Sequence, residues 1–393
     1  MEVEDQAPQW PTYFAKTFAG FEELLVPELE SLGAQNIVGE RRGVRFGADM
    51  PTLFKVCMSS RFALRILRPV FEFDARTPDD LYEHARHWEW GTVMTKTNTF
   101  SIDFTVHSEV FTHSQFAMLR LKDAIVDHFR DGGGLRPSVN RDRPDVRIHL
   151  HISGQHVTVS LDAAGEPLSR RGYRPTGAIA PLNEVLAAGL LAKAGWKPGI
   201  PLYDPMCGSG TFSTEAAMWS DGLPVNWHRR KFAFMQWNGY DEEVFYAVRD
   251  ELLAARERIV TPIYASDKDF KAISQTRNAL MNMEIDDAVE LGRSDFFKLE
   301  PRSEGGMLVL NPPYGERMAV EDVNGFYQAI GDRLKHHWPG FKAWIITSDF
   351  DAMKHIGLRP FAKKVAFNGA LECRWLGFDL FSGKKGYGDS GES

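Results

Sequence analysis

The rhythm of apolar and polar positions changes near residue 170, and that change divides the chain. Before it, short alternating strands are mixed with amphipathic helices. Residues 12–18 alternate as a strand. A helix follows with Phe21, Leu24, Leu25, Leu29 and Leu32 on one face, closed by Gly33. Pro27 falls inside that helix and predicts a kink or a break. Two short strands flank the Arg41-Arg42-Gly43 turn, then come a helix over 51–61 and a strand over 64–70. This order predicts a small α+β sandwich. Next are a helix over 79–87, a strand over 99–107, and a helix over 114–130 striped with Phe116, Leu119, Ile125, Val126 and Phe129. Residues 146–152 and 156–161 predict a hairpin around Ser153-Gly154.

Beyond residue 170, strands alternate with helices, the mark of a parallel sheet. Asn183 is placed to cap a helix running to 194. Strands are predicted at 202–204, 263–267, 288–291, 307–310 and 344–347, with helices at 211–220, 270–282 and 326–336. An antiparallel pair, 364–368 and 372–381, turns at Gly369. Residues 382–393 are rich in Gly, Lys and Ser and read as a disordered tail. The expected domains are therefore 1–70, 71–165 and 166–385, followed by a flexible 386–393.

Composition adds limits. The chain has 393 residues, 43% hydrophobic and 25% charged, enough for more than one core. No stretch reaches the ~20 apolar residues of a membrane span, and the polar, acidic start is unlike a secretory signal. Cys57, Cys207 and Cys373 are too scattered for a disulfide framework or a zinc site, and the twelve histidines show no metal spacing. The expectation is a cytoplasmic protein with no metal and no membrane partner. Net charge is −7, yet seven arginines (136, 141, 143, 147, 170, 171 and 174) and no lysine fall between residues 134 and 175. Arginine without lysine suits fork-shaped contacts to phosphate. A solvated loop with local pairs such as Asp142–Arg143 is an equal reading.

Two segments carry candidate chemistry. In the first, Asp204-Pro205-Met206-Cys207-Gly208-Ser209-Gly210-Thr211, a strand ends at Asp204 and two glycines permit a tight turn into a helix. Such a loop holds either a pyrophosphate or the carboxylate of methionine. Asp204 would repel a pyrophosphate but can take an ammonium. Ser213 replaces the third glycine of the dinucleotide fingerprint, and no acid lies ~20 residues on. Asp267 ends the next strand, where a ribose-binding acid is expected. Asp295 can accept from an adenine amine while Phe296 packs on the ring. Taken singly, either acid also reads as a helix cap.

The second segment is Asn311-Pro312-Pro313-Tyr314, directly after the apolar run 307–310. The Asn311 oxygen and the Pro312 carbonyl can each accept one N–H of an exocyclic amine. This aims the nitrogen lone pair and stabilises the positive charge that develops there. The prolines stiffen the turn, and Tyr314 can stack on a base swung out of its helix or loop. A further stretch, 226–237, mixes cations with aromatics. It suits nucleic acid, but packing of the aromatics onto the sheet with the cations outward is slightly preferred.

These segments, the second continued to Arg317, with Ala180-Pro181-Leu182-Asn183-Glu184, Arg171-Gly172-Tyr173-Arg174, residues 122–127 and 140–145, and Asn368-Gly369-Ala370-Leu371-Glu372-Cys373, resemble the bacterial THUMP-containing large-subunit rRNA guanine-N2 methyltransferases. The resemblance runs from about residue 13 to 381, and Pro27 departs from it. It implies an α/β protein: a Rossmann-like class I methyltransferase domain, mostly parallel with an antiparallel C-terminal pair, preceded by ferredoxin-like and THUMP α+β domains. It also implies S-adenosylmethionine as cofactor and 23S rRNA, free or in an assembling large subunit, as partner. The candidate cofactor residues are Asp204, Met206, Cys207, Gly208, Ser209, Gly210, Thr211, Asp267, Lys268, Asp295 and Phe296. Asn311, Pro312, Pro313 and Tyr314 are the candidate catalytic residues. Lys122, Arg136, Arg141, Arg143, Arg147, Arg171 and Arg174 are the candidate RNA contacts. The competing readings are adenine-N6 methylation of RNA or DNA, methylation of a protein glutamine, and a non-catalytic RNA-binding assembly factor.

Overall fold

The computed structural model describes residues 10–131, 133–174, 182–313 and 322–381. The proposed tail, Ala180-Pro181 and Tyr314 lie outside these residues. In chain order the first elements are β1 (Thr12–Lys16), α1 (Glu22–Ser31), β2 (Gln35–Glu40), β3 (Gly43–Gly47), α2 (Met50–Ser59), β4 (Arg65–Asp74), α3 (Pro78–His87), β5 (Thr99–His107), α4 (Ser114–Asp131), β6 (Ser138–Val139), β7 (Val146–Ser153) and β8 (His156–Asp162). Then come α5 (Glu184–Lys193), β9 (Leu202–Asp204), α6 (Thr211–Ser220), α7 (Glu242–Ala254), β10 (Ile263–Asp267), α8 (Phe270–Asn282), β11 (Glu290–Arg293), β12 (Gly306–Leu310), α9 (Val323–His337), β13 (Phe341–Thr347), β14 (Ala362–Asn368) and β15 (Leu371–Asp379). They fall into two compact units, 1–170 with 226–254, and 171–225 with 255–393.

Within the first unit the described strands form one eight-stranded sheet, ordered β2-β3-β1-β4-β8-β7-β5-β6. The pattern alone suggests two small folds in succession. Strand β4 joins them. It pairs with β1 through Arg65–Leu67 and with β8 through Leu67–Asp74. It also continues past residue 70 to Asp74, with Phe71 and Phe73 alternating with acids, and Pro69 is accommodated where the β4–β8 register shifts. Pro27 sits on the exposed side of α1, and the helix continues through it. Gly33, at φ 92°, ends that helix: its N–H donates to Glu30 O and that of Ala34 to Leu29 O, closing the last turn.

The segment 226–237 does bury its aromatics, but within the first unit and not on the parallel sheet. Phe234, Tyr240 and Phe245 surround Phe54 of α2 at centroid distances of 4.8, 5.9 and 5.4 Å. Asn226 donates from its backbone to Met58 O and from its side chain to Cys57 O, serving the carbonyls at the end of α2. Helix α7, which carries no strong sequence signal, packs against α2. Arg230 and Lys231 face solvent, and Arg229 is bonded to the carbonyls of Ala164 and Glu166.

The second unit holds a sheet ordered β11-β10-β9-β12-β13-β15-β14. Its pairs are parallel from β11 to β13, while β15 runs antiparallel to both β13 and β14. Residues 307–310 of β12 are all buried, as a strand covered on both faces requires. Leu308 and Leu310 pack with Tyr327, Ile330 and Leu334 of α9. The residues around 288 form a short 3-10 turn, so β11 begins two residues later than the pattern suggests.

Candidate active site

Successive strands leave β9 in one direction as β10 and β11, and in the other as β12 and β13. The order therefore reverses between β9 and β12, and in open α/β sheets ligands bind at the carboxyl ends beside such a reversal. Asp204 ends β9, Asp267 ends β10, Asp295 follows β11 and Asn311 follows β12. Tyr203 lies opposite both Tyr264 and Leu308, so the ends of these parallel strands share one rim.

At the centre, Asp204 is 1% exposed. Its Oδ2 accepts from Ser213 Oγ at 2.6 Å, and its Oδ1 has no partner. Burial pushes its pKa up to about 7, the Ser213 hydrogen bond opposes this, and the charge of Asp267 adds to the rise. The serine that spoils a dinucleotide fingerprint is thus the group that holds this carboxylate.

The turn after Asp204 is fixed from β10 and α8. Gly208 N–H donates to Asp267 Oδ2 at 3.0 Å, and the carbonyl of Gly208 accepts from Thr276 Oγ1 at 3.0 Å. Gly210 adopts φ 75°, and a Cβ there would stand 2.5 Å from Thr276 Cγ2, so only glycine fits. Gly208, at φ 55°, instead faces open space, as a backbone laid against a ligand must. Met206 and Ser209 are half-buried in this turn, and Cys207 is buried with its thiol 3.7 Å from Thr276 Oγ1.

Asp267 spends one lone pair of each oxygen, on Gly208 N–H and on Asp269 N–H at 2.9 Å. A carboxylate has further acceptor sites, so two hydroxyls can still be served. Lys268 is exposed and its carbonyl accepts from Arg293. Asp295 caps the short turn after it by accepting from Phe297 N–H at 3.1 Å. Phe296 is 2% exposed and belongs to the core beside Tyr203 and Leu308, while Phe297 is only half-buried.

At the end of β12 the Asn311 Oδ1 is buried without a partner, Pro312 is buried and Pro313 half-buried. On β10, the neighbouring Ser266 Oγ is likewise buried and unpartnered. A buried polar atom without a protein partner is open to a water or a ligand. Here three such atoms, Ser266 Oγ, Asp204 Oδ1 and Asn311 Oδ1, lie at the ends of three adjacent strands. Thr276 and Ser266 carry no sequence signal of their own.

Two of the proposed RNA contacts are reassigned. Arg171 is 1% exposed and pairs with Glu215, whose side chain is fully buried, at 3.5 Å. A guanidinium so enclosed cannot be offered to a phosphate. Arg174 donates to Thr211 Oγ1 at 2.7 Å and to Leu182 O, and pairs with Glu184 at 3.3 Å, tying the start of α6 to α5. In the first unit Arg136, Arg141 and Arg143 are exposed and have no acidic partner among the described residues. Lys122 pairs with Asp123 at 2.6 Å and Arg147 with Asp103 at 3.4 Å. Among the described residues no cluster of His, Cys, Asp or Glu could hold a metal ion, and no helix is long and apolar enough to cross a membrane.

Comparison with known proteins shows the family to which the chain belongs. Residues 171–376 match the family described as "RMKL-like, methyltransferase domain", 75–162 the THUMP domain, and 12–67 the RlmL ferredoxin-like domain. The ribosomal RNA large subunit methyltransferase K/L of Syntrophotalea carbinolica is 38% identical over 380 residues, covering 94% of this chain and 53% of that protein. The chain thus spans about half the length of the curated K/L relatives it matches. A Synechocystis protein provisionally named as an RNA methyltransferase is 36% identical over 94% of this chain and 97% of its own length. A provisionally assigned methyltransferase solved with S-adenosylhomocysteine superposes with a TM-score of 0.81 at 27% identity, covering 96% of this chain and all of that one.

Proposed function

Because the chain belongs to the RMKL-like methyltransferase family, we propose that it transfers a methyl group from S-adenosylmethionine to the exocyclic N2 amine of a guanine in large-subunit rRNA. When bound, the cofactor supplies an electrophilic methyl on its sulfonium. Asp204 Oδ1 takes the ammonium of the methionine moiety, and the turn at Gly208 approaches its carboxylate. Asp267 accepts from the ribose hydroxyls, and Asp295 faces the adenine.

The observation that carries the reading is the buried, unpartnered Asn311 Oδ1 at the end of β12. It accepts one N–H of the substrate amine and the Pro312 carbonyl accepts the other. The amine nitrogen then directs its lone pair at the methyl carbon. Transfer would form the new N–C bond as the cofactor's S–C bond breaks, leaving a neutral thioether. The two acceptors stabilise the charge that develops on nitrogen because they are fixed before the reaction begins. No strong base is needed, since the product ammonium is acidic and sheds its proton to water. Tyr314 is assigned to stack on the base.

The names of the K/L relatives and the THUMP domain support this substrate class. Exposed Arg136, Arg141 and Arg143 offer phosphate contacts in that domain, and a cytoplasmic setting accords with this substrate. The deciding experiment is nucleoside analysis of ribosomal RNA from cells lacking the protein. Loss of one N2-methylguanosine is expected. Loss of an N6-methyladenosine would replace guanine by adenine, and no loss of any methylated base would favour a non-catalytic assembly factor.

A further inference from the structure

The segment Asn368-Gly369-Ala370-Leu371-Glu372-Cys373 has no part in the transfer as derived above. It forms the turn of the β14–β15 hairpin and the start of β15. Strand β15 pairs with β13 from Arg374 onward, with Arg374 opposite Thr347 at the end of β13, whereas residues 371–373 pair only with β14 among the described residues. At about 3.4 Å per residue, the hairpin tip stands roughly 10 Å beyond the end of β13. The rim below it is the one that carries Asn311. The tip is tied down, because Asn368 Oδ1 accepts at 3.1 Å from the N–H of Asn183, the cap of α5.

Residues directly opposite in an antiparallel pair share a face. Val365 therefore faces the same way as Arg374, and Phe367 the same way as Glu372. Alternation puts Glu372 and Arg374 on one face too. Val365 and Phe367 are 57% and 43% exposed. Arg374 lies 4.5 Å from the ring centroid of Phe350, which is itself 36% exposed. A bonded turn sets Phe350: Thr347 Oγ1 accepts from Asp349 N–H at 3.0 Å, and Asp349 Oδ1 from Ala352 N–H at 2.8 Å. Arg374 Nη1 donates to Glu372 and, at 3.4 Å, to Cys373 O. Its Nη2 and Nε have no partner among the described residues. A guanidinium stacked on a ring and held at one nitrogen is a preorganised fork with its other donors to spare.

The strand register gives the reach of this fork. Leu310 lies opposite Ile345. Two places on, Pro312 stands beside Thr347, and Arg374 is one strand further along the rim. Two strand spacings are about 10 Å. A flat bicyclic base with a hydrogen bond of about 2.9 Å at either edge spans a gap of that order. We infer that Arg374 selects guanine: with the N2 amine held at Asn311, its fork donates to O6 and N7 at the far edge of the same base. Arginine to these two acceptors is the commonest guanine-specific contact, and adenine presents an amine donor where guanine has O6. Phe350 and Glu372 hold the fork in place. The inference rests on the transfer to guanine N2 proposed above. It supplies what Asn311 and Pro312 lack, since two acceptors read an amine and not the base that bears it.

The test is methyl transfer by the full chain to large-subunit rRNA transcripts made with guanosine or with 7-deazaguanosine, which lacks the N7 acceptor but keeps the N2 amine. A bidentate contact is worth roughly 5- to 150-fold in discrimination, so losing one of its two acceptors should slow the wild type about 3- to 10-fold. Arg374→Ala should lower kcat/KM on guanosine RNA by roughly 5- to 150-fold and treat both transcripts alike. Arg374→Lys keeps the charge but loses the fork, and should behave like Arg374→Ala. Thermal melts and unchanged S-adenosylhomocysteine affinity should verify that both variants stay folded. Three results would each overturn the inference while leaving transfer to N2 in place: a wild type indifferent to N7, an Arg374→Ala variant that still discriminates, or near wild-type activity of Arg374→Lys, as a phosphate contact would give. Wild-type protein that methylates neither the transcripts nor rRNA from cells lacking the protein would instead overturn the reading on which the inference rests.

Discussion

The proposed contact between Asp204 and the cofactor's ammonium should make binding pH-dependent in a calculable way. In the free protein, burial holds this carboxyl at a pKa of about 7 instead of 3.8. The ammonium proposed to pair with it demands the ionised form. The apparent dissociation constant should therefore weaken as the ionised fraction falls. With a pKa of about 7, roughly half the sites are ionised at pH 7 and about a tenth at pH 6. Affinity for S-adenosylhomocysteine, which carries the same ammonium, should drop about tenfold from pH 8 to pH 6 and level off above 8. Binding at pH 6.5 should also release most of one proton, visible as a dependence of calorimetric heat on the ionisation enthalpy of the buffer.

The same shift sets the sign for stability. A raised carboxyl pKa means the folded chain holds a proton that the unfolded chain has shed between pH 4 and 7. The folded state is thus favoured below that window and loses stability as pH rises through it. Asp204→Asn cannot ionise. Relative to wild type it should gain stability across the window, by up to about 4 kcal/mol, and lose the pH dependence of binding. Its affinity at pH 8 should fall by roughly 10- to 150-fold, the worth of a charged hydrogen bond of about 1.5–3 kcal/mol. A dissociation constant that is flat from pH 6 to 8, or proton uptake on binding, would refute the reasoning.

Asn311→Ala should abolish methyl transfer while S-adenosylhomocysteine affinity stays within a few-fold of wild type; equal loss of both, by calorimetry and a transfer assay, would remove Asn311 from its role. Arg171→Leu leaves the buried Glu215 uncompensated and should cost about 3–5 kcal/mol in denaturant unfolding, with RNA affinity per folded molecule unchanged.

The second unit was largely legible in the sequence because its elements are local. Strands at 202–204 and 263–267 and helices at 211–220 and 270–282 fall where the pattern places them, since each is a short apolar run bounded by a glycine turn or a capping residue. What the pattern could not carry is pairing at long range. Nothing local in 65–74 tells that β4 serves two β-rich halves at once, and Pro69 argues against a continuous strand until the shifted register is seen. Helix α7 and the aromatics of 226–237 return to α2, nearly two hundred residues earlier, and no window of sequence contains both. The arginines failed for a related reason. Composition groups Arg171 with Arg141, but one meets Glu215, 44 positions on, and the other meets solvent.

The site residues divide along the same line, and the division has a thermodynamic reason. Asp204, Asp267 and Asn311 are visible in sequence because they end strands, where side chains leave the sheet at its rim. The residues that tune them are invisible because they work through pairs distant in the chain. Thr276 locks Gly208 and excludes any side chain at Gly210, and Asp267 fixes the Gly208 amide. Asp204 Oδ1, Asn311 Oδ1 and Ser266 Oγ are left buried and unpaired, at about 1–3 kcal/mol each for a missing partner. A fold that only needed stability would close those gaps with one more serine or with apolar packing. In the proposed reading they stay open for two separate arrivals: the cofactor's ammonium would meet Asp204 Oδ1, and the substrate amine would meet Asn311 Oδ1.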